Sequence, residues 1–156
     1  MKFVAITAAL LCLSGNLYAK NVDVKDAWVR TSVQGQKATG AFMKITAKEG
    51  STLVGVASPV AGVAEVHEMK MDGDVMRMRA LPNGLALPAG KAVALTPGGY
   101  HVMLMDLKAT LPKDSTIPLT LTFKNAKGEQ SQVELKVPVA TTAPGAAAGA
   151  PAAHKH

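Results

Sequence analysis

From Asn21 to Val139 apolar and polar residues alternate with a period of two, the mark of strands with one buried face. In IPLTLTF (117–123), Leu119, Leu121 and Phe123 point one way while Thr120 and Thr122 point the other. VELKV (133–137) repeats this, with Val133, Leu135 and Val137 inside and Glu134 and Lys136 outside. Turn formers punctuate the runs: KEGS at 48–51, MDGD at 71–74, LPNG at 81–84, LPAG at 87–90, TPGG at 96–99 and NAKGE at 125–129. No window carries sustained helical periodicity with caps. Short strands at this spacing predict an all-β, antiparallel sandwich or barrel.

The alternation stops after Val139. ATTAPGAAAGAPAAHKH lacks large apolar side chains and cannot offset its own ordering entropy, so 140–156 reads as a disordered tail. The opposite end, MKFVAITAALLCLSGNLYAK, has a basic Lys2, an apolar run from Phe3 to Leu13 and small Ala19. That predicts a secretory signal over 1–19, cleaved near Ala19, and a mature domain over 20–139 exported to the periplasm. The run is too short to span a membrane, and no stable membrane insertion of the mature chain is expected. Cys12 is the sole cysteine. Leu11 stands where a lipidation signal requires a small residue before the cysteine, which counts against a lipoprotein. Cleavage at Ala19 then leaves no disulfide and no thiolate chemistry.

The whole chain carries a formal charge of +6; losing Lys2 leaves 16 basic against 11 acidic side chains, or +5. The lysines are dispersed and few aromatics are available to stack bases, so nucleic-acid binding is not expected.

Methionine is the anomaly. Six of the eight (Met69, Met71, Met76, Met78, Met103 and Met105) fall within the span that His67 opens and Met105 closes, and His101 lies among them. Methionine is ordinarily a flexible core filler. Strand parity argues otherwise here: in HVMLM (101–105), His101, Met103 and Met105 share one face and leave Val102 and Leu104 for the core. His67, Met69 and Met71 also share a face, as do Met76 and Met78 beyond the MDGD turn; a hairpin there would bring the two arms together. Thioether sulfur is soft and neutral, which disfavours Ca²⁺ and Mg²⁺. With imidazole it selects Cu(I). Without a cysteine thiolate a blue-copper centre is excluded, and the donor set suits carrying copper.

These residues resemble the periplasmic copper chaperones with the PCu(A)C domain, whose motif runs H(M)x10Mx21HxM. His67, ten residues, Met78, and then His101-x-Met103 follow it, as do the blocks AWVR (27–30), ATGAFM (38–43), VMRMR (75–79) and PGGYHVMLM (97–105). The resemblance spans about 21–138. It implies a cupredoxin-like, Greek-key β-sandwich holding one Cu(I) through His67, Met78, His101 and Met103. It also implies a protein partner in assembly of the copper centre of cytochrome c oxidase. The alternative is a periplasmic copper buffer or resistance protein that supplies another cuproenzyme or none. Twenty-two residues separate Met78 from His101, one more than the family pattern. A turn within ALPNGLALPAG absorbs the extra residue; a slip in the following strand would instead turn His101 to the wrong face.

Met69, Met71, Met76 and Met105 lie outside the motif and read as apolar rim, partner contact or accessory sulfur ligands. His154 and His156 read either as a charged chain end or as a loose Cu(II) site on the tail. Trp28 reads as a core anchor rather than a ligand-stacking group, and Glu65, Glu68, Asp72 and Asp74 as a solvated face. An enzyme, whether a copper oxidase or a zinc hydrolase, would need an open coordination position and a placed acid, base or nucleophile. The domain offers neither a Ser–His–Asp set nor a third histidine, so no enzymatic activity is expected. A purely structural sandwich leaves the His/Met stripe unexplained.

Overall fold

The computed structural model describes residues 21–145; the signal segment, Cys12, His154 and His156 lie outside the described residues. Ten strands form: β1 (Val22–Arg30), β2 (Ala38–Ala47), β3 (Ser51–Ala57), β4 (Ala61–Asp72), β5 (Val75–Ala80), β6 (Leu85–Leu87), β7 (Ala92–Leu95), β8 (His101–Leu107), β9 (Thr116–Asn125) and β10 (Gln130–Ala140). There is no α-helix among the described residues, hence none long and apolar enough to cross a membrane. Each turn segment anticipated above separates two of these strands.

Pairing runs β5-β4-β8-β2-β1-β10-β9-β3-β6, with β7 also on β2. Strands pair antiparallel except β1 with β10, which run parallel at Val29↔Val139 and Arg30↔Ala140. The sheet is therefore mixed. Side-chain alternation is the same in parallel and antiparallel strands, so the sequence pattern does not carry this feature.

The β1–β10 seam divides the path into two halves that fold face to face over one core. Val29, Ile45, Val102 and Leu104 come from one half and Leu53, Leu119, Leu121, Phe123 and Val137 from the other, all essentially inaccessible to solvent. Burying each such side chain contributes about 1.5–3 kcal/mol, so this layer fixes which face of every strand looks inward.

A bulge in β1 matters for what lies outside. Register with β2 shifts between Lys25 and Trp28, and Asp26 sits at φ 53°. Before the bulge Val22 and Val24 pack on the core; after it Val29 does. The extra residue switches parity and turns Trp28 to the outer face, packed against Phe42 with ring centroids 4.8 Å apart and planes tilted by 38°. Trp28 is buried, but it packs outside the main core and is not the core anchor expected, because the bulge reverses its face.

Candidate metal centre

Outside the core, β4, β5, β8 and β2 present one continuous face. The MDGD turn closes a hairpin between β4 and β5, its two-residue loop carrying positive φ (63°) at Gly73, as a II′ turn needs. Its register pairs His67 with Ala80, Met69 with Met78 and Met71 with Met76. Across the other edge of β4, His67 pairs with His101 and Glu65 with Met103. Tyr100, the last of the 22 residues after Met78, leads straight into β8 with His101 outward and Val102 and Leu104 fully buried, so the additional residue has not flipped the strand.

A cleft of about 290 Å³ opens over this face, with Met78, His101, Met103 and Met69 in its wall. Phe42 and Gly40 form the β2 side, and Arg30 lies over the Phe42 ring, 5.5 Å from its centroid. Gly40 is required by close approach: a Cβ there would come 2.8 Å from the Phe42 ring. The Phe42 ring would have to shift to admit a side chain at Gly40, which pairs with Met103 across the strands.

His101 is buried, and its Nδ1 lies 3.0 Å from the Gly99 carbonyl oxygen. A carbonyl only accepts, so in the neutral ring Nδ1–H donates and Nε2 keeps a lone pair. That Nε2 faces the Met78 sulfur at 3.1 Å. Thioether sulfur has no proton either. Two lone-pair donors aimed at each other, with Met103 beside them, form a site that a soft cation would complete.

His67 is held differently. Its Nε2 lies 2.8 Å from Glu65 Oε2, and its ring centroid is 5.8 Å from that of His101. The Glu65 carboxylate accepts, which puts the proton on Nε2 and the lone pair on Nδ1. Nδ1 is buried without a partner among the described residues. An orphaned acceptor in a packed site costs about 1–3 kcal/mol unless a ligand satisfies it. The donor set thus fits Cu(I): two imidazole nitrogens with free lone pairs and two thioethers, with no anionic donor among them.

Of the residues singled out from sequence, Met78, His101 and Met103 line the same cleft and His67 adjoins His101 one strand over. Met69 joins the cleft wall. Met105 is half-buried outside it, paired with Ala38 and Val63. Met71 and Met76 stand on the exposed hairpin beyond it. Glu68 and Asp72 are engaged in ion pairs with Arg79 and Arg77 at 2.7 and 2.8 Å, on the hairpin's opposite face. Glu65, expected to be merely solvated, is the residue the sequence reading undervalued; sharing the parity of His67 two positions away was the available signal. Phe42 and Gly40 drew notice only as part of the ATGAFM block.

The fold is similar to that of PCuAC domains. The copper-bound PCuAC domain from PmoF2 aligns with a TM-score of 0.61 at 22% identity, over 78% of this chain and 94% of that one. The solution structure of apo-DR1885 from Deinococcus radiodurans aligns at 0.56 and 28% identity, covering 89% and 93%. The CuI-DR1885 structure gives 0.56 and 27%, covering 82% and 85%. Residues 22–139 match the family described as "Putative lipoprotein LpqE-like", and the chain belongs to that family. A relative in Leifsonia xyli subsp. xyli (strain CTCB07), "Putative lipoprotein Lxx21020", is 33% identical over 118 residues, covering 76% of this chain and 71% of its own.

Proposed function

We propose that this protein is an exported Cu(I) carrier that holds one ion through His67, Met78, His101 and Met103. The observation that carries the reading is the opposed pair of unprotonated donors, His101 Nε2 and Met78 Sδ, 3.1 Å apart. The likeness to a DR1885 structure solved with Cu(I), at 27% identity, supports it independently. Four neutral donors favour the reduced ion and give it little reason to cycle, so the protein transports copper and catalyses nothing with it. The exposed Met78 lets the ion leave by ligand exchange while the two histidines remain anchored in the sheet. The resemblance to PCu(A)C chaperones makes the copper centre of cytochrome c oxidase the first recipient to test, with buffering as the alternative. Export to the periplasm follows from the 1–19 segment.

Competition against a Cu(I) chelator under reducing conditions tests the binding step. One tightly held equivalent is expected, retained against excess Zn²⁺, with no intense thiolate-to-copper band. Preferential zinc occupancy, or failure to compete for Cu(I), would overturn the proposal.

A further inference from the structure

The four-ligand site leaves three thioethers of the hairpin unused. Met69 and Met71 on β4 face Met78 and Met76 on β5, so four sulfurs occupy every outer-facing position of the two arms next to the turn. The opposite face of the same hairpin carries Glu68, Lys70, Asp72, Arg77 and Arg79. Met71 and Met76 are 56% and 47% exposed, which removes core packing as their reason. Strand propensity is no reason either: an edge strand is served better by β-branched or aromatic residues, as Val75 illustrates. What methionine adds over valine or leucine at these positions is sulfur.

We propose that Met71 and Met76, with Met69, form a second, thioether-only Cu(I) site at the hairpin tip, an entry point to the buried His101 site. Directly paired residues place their Cβ atoms about 4.5–5.5 Å apart, and diagonal neighbours on one face lie about 7–8 Å apart, within reach of long side chains. Methionine's three rotatable bonds let such sulfurs converge on one ion. Met69 and Met78 form the next rung inward and both line the cleft, so sulfur ligands continue from the tip to His101. Passage along this ladder exchanges one neutral thioether for another: the ion stays Cu(I), no electron moves and no proton is released. The inference of an entry route rests on the Cu(I) reading of the His101 site; the tip site itself does not.

Cu(I) titration of the protein labelled with ¹³C at the methionine methyls tests it, with the imidazole signals followed in parallel. The first equivalent should shift His101 and the Met78 and Met103 methyls. A second, bound at least tenfold more weakly, should shift Met71, Met76 and Met69. Met71→Leu with Met76→Leu keeps the exposed apolar volume and should abolish the second event while leaving the first unchanged. A second equivalent that leaves the Met71 and Met76 methyls unmoved overturns the tip site and leaves a hydrophobic contact surface. A first equivalent that shifts only the tip methyls, with His101 silent, supports the tip site and overturns the four-ligand reading instead.

Discussion

His101 Nε2 stands 3.1 Å from the Met78 sulfur although, in the neutral ring, neither atom has a proton to share. The Gly99 carbonyl enforces this by accepting a hydrogen bond from Nδ1–H, which holds the ring proton on that nitrogen. Replacing Met78 with leucine keeps the apolar contact and removes the donor. Met78→Leu and Met103→Leu should each lower Cu(I) affinity by tenfold or more, equivalent to about 1.4 kcal/mol or more. Met105→Leu should stay within about twofold, as its side chain lies outside the cleft. Chelator competition on the three variants decides this, and equal losses would mean a diffuse thioether surface.

Glu65 selects the His67 tautomer through the 2.8 Å contact to Nε2. Partners that orient a metal-binding imidazole typically account for about 10–100-fold in affinity. Glu65→Ala should therefore weaken Cu(I) binding by about tenfold and give mixed His67 tautomers in ¹⁵N spectra of the metal-free protein. Glu65→Gln retains an acceptor oxygen and should restore most of both. An unchanged tautomer in the alanine variant would remove Glu65 from this role.

Much of the candidate site's placement was legible because parity is strict in half-buried strands. Val102 and Leu104 had to be core, and both are fully buried, which pushed His101 and Met103 outward. The MDGD signal gave the hairpin and with it the facing methionines. Features that depend on distant pairing were not legible. The parallel β1–β10 seam joins the two ends of the domain, and no local pattern encodes it. The bulge at Asp26 inverts the face of Trp28 through one residue whose type does not announce a positive φ. Glu65 looked like surface charge because its bond to His67 requires a rotamer that the sequence does not specify; its side chain is still 44% exposed.

Fold and site should separate cleanly under mutation. Leu121 is inaccessible and central to the core, so Leu121→Ala should cost about 2–5 kcal/mol of unfolding free energy. Met78 is 48% exposed on an edge hairpin, and Met78→Leu should change stability by no more than about 0.5 kcal/mol. Denaturant melts of the metal-free proteins provide the comparison. A large loss in the Met78 variant would mean that the thioether is structural and that its affinity effect is indirect.

Export makes a chemical prediction at the N-terminus. Leu11 before Cys12 disfavours lipidation, and Ala19 favours ordinary cleavage, so the mature chain should begin at Lys20. The family and the Leifsonia relative both carry "lipoprotein" in their descriptions, which makes a diacylglyceryl-modified Cys12 the specific competing outcome. Mass spectrometry of the protein from its own membrane and soluble fractions distinguishes the two. A lipidated Cys12 would anchor the carrier to a membrane surface and limit its recipients to those within reach of that surface.

Cutting the tail should leave the proposed copper site intact, provided the cut respects β10. That strand runs to Ala140, one residue beyond the sequence boundary, and Thr31 N–H donates to the Ala140 carbonyl at 3.1 Å. Truncation after Gly145 should preserve both the melting temperature and Cu(I) affinity, because all four proposed ligands lie upstream. Truncation after Val139 removes that acceptor and the final β1–β10 pair, and should cost about 0.5–1.5 kcal/mol while copper binding persists. Any Cu(II) held by His154 and His156 should vanish from both variants, read by the Cu(II) electron paramagnetic resonance signal of the full chain. Loss of Cu(I) affinity on truncation after Gly145 would instead make the tail a contributor to the site, and the four-ligand assignment would have to be redrawn around it.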